Sequence, residues 1–136
     1  MTFEIVNPES LGAPRGWNNG LIAPRDGRLL FVAGQAGWES AAAGPPAGFV
    51  EQFARALDKV LAVVRAAGGG PQDIARLTVY VTDLAEYRAS LKPLGEAWRG
   101  RFGSHYPAMA LLEVKGLVDR GAVVEMEATA VLPGDR

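Results

Sequence analysis

The chain has 136 residues, 49% of them hydrophobic and 21% charged, with a formal net charge of −1. That composition describes a globular protein able to bury an ordinary core and excludes a disordered or fibrous chain. No cysteine is present, which removes disulfides, thiolate nucleophiles and cysteine-ligated metals. The basic residues are scattered, giving no stripe for nucleic acid, and no apolar run approaches the roughly 18 residues of a membrane span.

Met1-Thr2-Phe3-Glu4-Ile5 has neither the charged nor the apolar region of a signal peptide, so the expected location is cytoplasmic. A short strand is expected at Phe3–Val6, followed by a Gly-rich loop over Gly12–Gly20. Arg28-Leu29-Leu30-Phe31-Val32-Ala33, bounded by Gly27 and Gly34, suits a buried strand. Gly44-Pro45-Pro46 marks a surface connection. From Phe49 the period changes: Phe49, Phe53, Ala56, Leu57, Val60, Leu61 and Val64 fall on one helical face, stopped by Gly68-Gly69-Gly70-Pro71. Asp73–Thr82 returns to strand alternation. Leu84, Tyr87, Leu91, Leu94, Trp98 and Phe102 keep helical spacing, and the regular helix is expected to start near Ser90–Lys92. That start leaves Pro93 in the first turn, where its missing donor costs little. Two last strands are expected at about Ala108–Lys115 and Gly121–Leu132.

This order, strand–strand–helix–strand–helix–strand–strand, is α+β, a single domain over residues 1–136. Ala122, Val124, Met126, Ala128, Ala130 and Leu132 form one apolar face of the last strand, and Ala108, Ala110, Leu112 and Val114 form one of the strand before. If the apolar faces lie beneath the helices, the mixed faces share the other side of the sheet, which places Met109 and Glu125 together there. An uncovered face of this kind suggests an oligomer that buries it against its copies.

Four segments are candidates for chemistry. Gly16-Trp17-Asn18-Asn19-Gly20 offers amides that could hydrogen-bond a ligand and an aromatic ring to stack on it, although from sequence alone a turn with an aromatic plug explains it better. Gly34-Gln35-Ala36-Gly37-Trp38 follows a strand, where backbone amides can face a pocket or simply turn. Glu125 is a mid-strand carboxylate among apolar neighbours, costly unless paired, exposed or used as an acid or base. His105, the one histidine, reads as a loop residue, since a metal site needs further ligands. Asp73 and the basic residues around Arg99–Arg101 read as solvated surface.

Ala66-Ala67-Gly68 and Asp73 through Leu84, together with Ala33-Gly34-Gln35, Tyr106-Pro107-Ala108 and Val124-Glu125-Met126-Glu127-Ala128-Thr129-Ala130, resemble the Rid (YjgF/RidA) superfamily over nearly the whole chain. The resemblance implies a chorismate-mutase-like (bacillary) fold, a mixed sheet with two helices packed on one face. It also implies a homotrimer with three small-molecule clefts at the subunit interfaces. Relatives that deaminate imines or enamines combine a loop aromatic, a serine before Gly-Gln, an arginine after Pro-Ala and a glutamate in the last strand. Trp17 and Glu125 match the aromatic and the glutamate; Ala33 stands for the serine and Met109 for the arginine. Gly34, Gln35, Tyr106 and Leu111 complete the implied cleft, with Asn18 or Asn19 anchoring polar atoms and no metal or cofactor. A bidentate arginine–carboxylate contact contributes roughly 2–5 kcal/mol, so its loss weakens binding of a simple 2-imino acid by about 30-fold or more. The resemblance also includes relatives without the arginine that deaminate aromatic ring-cleavage products. The reading is therefore a deaminase-like hydrolase of an imine, enamine or related electrophile, with Glu125 activating water, or alternatively a non-catalytic small-molecule binder or regulator. A nuclease or translation inhibitor, the third function attached to such chains, finds no basic face here.

Overall fold

Helix α1 (Phe49–Ala66) is the longest element, and the sequence periodicity states why it packs: Phe53, Ala56, Leu57, Val60, Leu61 and Val64 are all buried. It ends as its glycines require. Gly68 takes φ 91°, and the amides of Gly68 and Gly69 reach back to the carbonyls of Arg65 and Val64, the bonding pattern of a Schellman cap. The computed structural model describes residues 3–39 and 44–134; Met1 and Thr2 of the N-terminal reading lie outside them.

Against α1 lies a four-stranded mixed sheet, made of β3 (Arg28–Ala36), β4 (Ile74–Val81), β5 (Ala108–Glu113) and β6 (Val124–Leu132). Its order is β3-β6-β4-β5, with β4 and β5 parallel and the other pairs antiparallel. β6 is central, and Val124, Met126, Ala128 and Ala130 turn their buried side toward the helices. Truncating a leucine in this layer, such as Leu57 or Leu77, creates a cavity costing roughly 2–5 kcal/mol.

Three elements differ from the sequence reading. The first strand, β1 (Glu4–Val6), pairs with a strand hidden in the Gly-rich region, β2 (Gly20–Ile22), and forms a separate two-stranded sheet. The second helical stretch is two helices, α2 (Leu84–Ala89) and α3 (Leu91–Phe102). Asp83 caps α2 by accepting from the amides of Ala85 and Glu86. Ser90, at φ −116° and ψ 16°, breaks the helix, and Pro93 falls in the first turn of α3 as its chemistry demands. Leu94, Trp98 and Phe102 are the buried side of α3.

The third difference is the orientation of β5. Met109 pairs with Leu77 and Leu111 with Val79, and both partners are fully buried under the helices. Met109 and Leu111 therefore pack on the helix side, against the core, while Ala110 and Leu112 are exposed. This corrects the expectation that Met109 shares a face with Glu125. Both faces of β5 are largely apolar, so alternation separates them without saying which is inside.

Candidate functional site

Two clusters of the expected site residues form, one on each side of the sheet. The first surrounds Glu125. β3 carries a bulge: Val32 pairs with Ala128 and Gln35 with Met126, leaving Ala33 and Gly34 opposite the single residue Glu127. The bulge brings Gly34 beneath the Glu125 side chain, so closely that a Cβ on Gly34 would stand 2.6 Å from Glu125 Oε2. Gln35 turns back within this bend, its Nε2 donating to the Ala33 carbonyl at 3.1 Å.

The two glutamates of β6 are not equivalent. Tyr80, paired with Glu125 across the strands, donates its hydroxyl to Glu127 Oε2 at 2.8 Å. That bond, then burial, then the charges of Glu127 and Glu125, raise the Tyr80 phenol above its usual pKa. Among the described residues Glu125 makes no side-chain hydrogen bond or ion pair. Glu127 is engaged with Tyr80; Glu125 is free.

The second cluster lies at the edge of the helix side. A cavity of about 310 Å³ opens between β5 and the α2–α3 pair, lined by Gly16, Tyr87, Trp98, Arg99, Met109 and Leu111 among others. Tyr106 also lines it and stacks on Trp98, with ring centroids 5.8 Å apart. Trp98 stacks in turn on Phe102 and donates its indole N–H to the His105 carbonyl at 3.2 Å. Much of this wall is thus a column of rings held by one polar clasp. Trp17 follows Gly16 and is exposed, its indole donating to Asn19 Oδ1; it is no aromatic plug.

Asn18 fixes the loop to the cavity rim. Its amide nitrogen Nδ2 donates to the Tyr106 carbonyl at 2.6 Å, its Oδ1 accepts from Asn7, and its backbone N–H donates to the Pro107 carbonyl. The backbone N–H of Asn19 donates to Asn7 Oδ1 at 2.7 Å. The Asn18 side chain is engaged at both ends and ties the loop to the cavity rim.

His105 lies in a loop, as expected, while two other sequence readings change. His105 is half-buried, with Nε2 at 2.9 Å from the Ile74 carbonyl, so that nitrogen carries the proton and donates. Asp73 is buried rather than solvated and accepts the Gly70 amide at 2.8 Å. Arg101 is tied to Asp58 of α1 through Nε and Nη2. Sequence reasoning missed the α2–α3 wall of the cavity, notably Trp98 and Arg99. Gly95, inside a helix, was the available signal. Among the described residues no three His, Cys, Asp or Glu side chains gather as a metal-ligand set, and no helix is long and apolar enough to cross a membrane.

Residues 9–132 match the family model described as Endoribonuclease L-PSP, and the chain belongs to this family, part of the Rid superfamily. A RutC family protein of Sinorhizobium fredii is 37% identical over 107 residues, covering 78% of this chain and 81% of the relative. A 2-iminobutanoate/2-iminopropanoate deaminase of Escherichia coli is 32% identical over 105 residues, covering 77% and 80%. Among solved structures, the Rid-family protein YyfB of Yersinia pestis, itself of unknown function, superposes with a TM-score of 0.82. It is 27% identical, with 97% of this chain and all of that one covered.

Proposed function

We propose that this chain is a deaminase-like hydrolase of an imine, enamine or related small electrophile, working at clefts between the subunits of a homotrimer. The observation that carries the reading is the free carboxylate of Glu125, seated on Gly34 and left unpaired while its neighbour Glu127 is held by Tyr80. Relatives about 30% identical are named as imine deaminases, which supports the reaction class. Within one protomer Glu125 and the Met109 cavity lie on opposite faces of the sheet. A reaction using both needs the carboxylate of one subunit beside the cavity of another.

In the proposed step, Glu125 accepts a proton from water as the water oxygen bonds to the imine carbon, and the C=N electron pair moves to nitrogen. The nitrogen takes that proton from Glu125 and a second from the new hydroxyl, the C–N bond breaks, and ammonia leaves as the carbonyl forms. Gly34 backbone groups, Trp17, Tyr106, Met109 and Leu111 line the substrate site, and no cofactor enters the step. Met109 and Ala33 bring no charge or hydroxyl, which favours a substrate with an apolar or aromatic body over the short 2-imino acids.

Imines generated by an amino-acid oxidase, with aliphatic and aromatic side chains, and an aminomuconate-type enamine provide the test. Ammonia release faster than in buffer, lost in Glu125→Gln, is expected for the aromatic or enamine substrates. Release at the buffer rate throughout refutes catalysis, and unchanged turnover in the variant refutes Glu125 as the base. Saturable ligand binding without product would then select the second reading, a binding or regulatory protein using the same cleft, which the apolar Ala33 and Met109 also suit.

A further inference from the structure

Arg99 projects from α3 into the lining of the cavity that holds Met109 and Leu111. Among the described residues its side chain makes no hydrogen bond and no ion pair, unlike Arg101 two residues on, which Asp58 neutralises. One turn earlier stands Gly95, which also lines the cavity. A glycine inside a helix costs roughly 0.5–1 kcal/mol relative to alanine. Here it provides a seat: a Cβ at Gly95 would lie 3.0 Å from Arg99 Nη1. The guanidinium rests across the bare helix backbone, beside an aromatic and thioether wall, with its donors uncommitted.

We propose that Arg99 is the anion-recognising residue of this cleft. A cation delivered from α3 takes the place of the one absent from β5 at Met109. The ligand class that fits is a carboxylate joined to an apolar or aromatic body, the body lying against Trp98, Tyr106 and Met109 and the charge at the helix. The inference rests on the cavity being the ligand site of the proposed function, and it names the substrate's charge and where that charge is held. Because Arg99 is exposed, its pull is moderated by solvent and weakens with salt.

The test uses phenylacetate and its neutral counterpart phenylacetamide, followed by the methyl resonance of Met109 in protein carrying labelled methionine. Only three methionines are present, so Met109→Leu assigns the signal. Phenylacetate is expected to shift it saturably and to bind about tenfold more tightly than the amide, at the low end for a charge-assisted hydrogen bond at an exposed site. Arg99→Gln abolishes that preference, Arg99→Lys keeps part of it, and added salt narrows it in the wild type only. Equal affinity for the two probes in the wild type, or a preference surviving in Arg99→Gln, overturns the role of Arg99 and leaves the cleft standing. Failure of both probes to shift Met109 overturns this proposal and the cleft reading together.

Discussion

Gly34 and Glu125 act as one unit, and a single methyl group tests it. In Gly34→Ala the new Cβ meets the Glu125 carboxylate, the far end of a flexible side chain, so the fold accommodates it while the carboxylate must move. We expect Tm to stay within a few degrees and kcat/KM to fall at least about tenfold, approaching the roughly 10²–10⁴-fold loss expected for Glu125→Gln if the carboxylate is the base. A large Tm loss in Gly34→Ala would instead make Gly34 a folding residue. The Tyr80 phenol gives a second measurement at this scale. Its folded pKa is raised, chiefly by its hydrogen bond to Glu127, so its stabilising contribution is fully present below the unfolded value near 10. It is lost as pH rises through the folded value. Tyrosinate absorbance should therefore show one of the three tyrosines ionising late, and Glu127→Gln should bring that titration earlier. An unchanged profile in the variant would remove Glu127 as the cause.

Elements are positioned by polar clamps that no hydrophobic pattern reveals. Gln52 lies on the buried side of α1 and is fully enclosed; its Nε2 donates to the carbonyls of Ala47 and Gly121, and its Oε1 accepts the amide of Val123. It holds the approach to β6, and thereby Glu125, against the start of α1. Gln52→Leu strands buried backbone groups and should cost roughly 2–4 kcal/mol, read as an earlier denaturation midpoint with unchanged slope. A cost below about 0.5 kcal/mol would show that water replaces the amide. The limits of sequence reading lie at the same scale. The α1 face, the turn at Gly68 and the position of Pro93 were legible because each follows from a local rule of period or backbone geometry. β2 was not, since three residues among glycines carry no period. The side of β5 that holds Met109 was not either, because an edge strand with two apolar faces needs its neighbour, Leu77, to say which one is inside. The β3 bulge and the Arg99 seat depend on contacts between distant segments, which spacing along one strand or helix cannot express.

At the scale of the whole molecule, the described residues leave one sheet face without cover: Phe31 is 75% exposed and Leu29 62% exposed, an arrangement a monomer has little reason to keep. In the proposed homotrimer this face and the Glu125 carboxylate meet neighbouring copies. Phe31→Asp should then shift the mass measured by light scattering from three chains toward one and abolish turnover. The division of the site between the two faces permits a sharper experiment. Glu125→Gln removes the base but keeps the cavity; Met109→Trp fills the cavity but keeps the base. If each site takes its carboxylate from one subunit and its cavity from the next, random mixing of the two inactive proteins at equal amounts leaves roughly a quarter of the sites with both parts intact. Unfolding and refolding the variants together should therefore recover about a quarter of wild-type activity, whereas mixing without subunit exchange recovers none. A reaction confined within a protomer would show no recovery in either case, since no single chain in the mixture carries both an intact Glu125 and an open cavity.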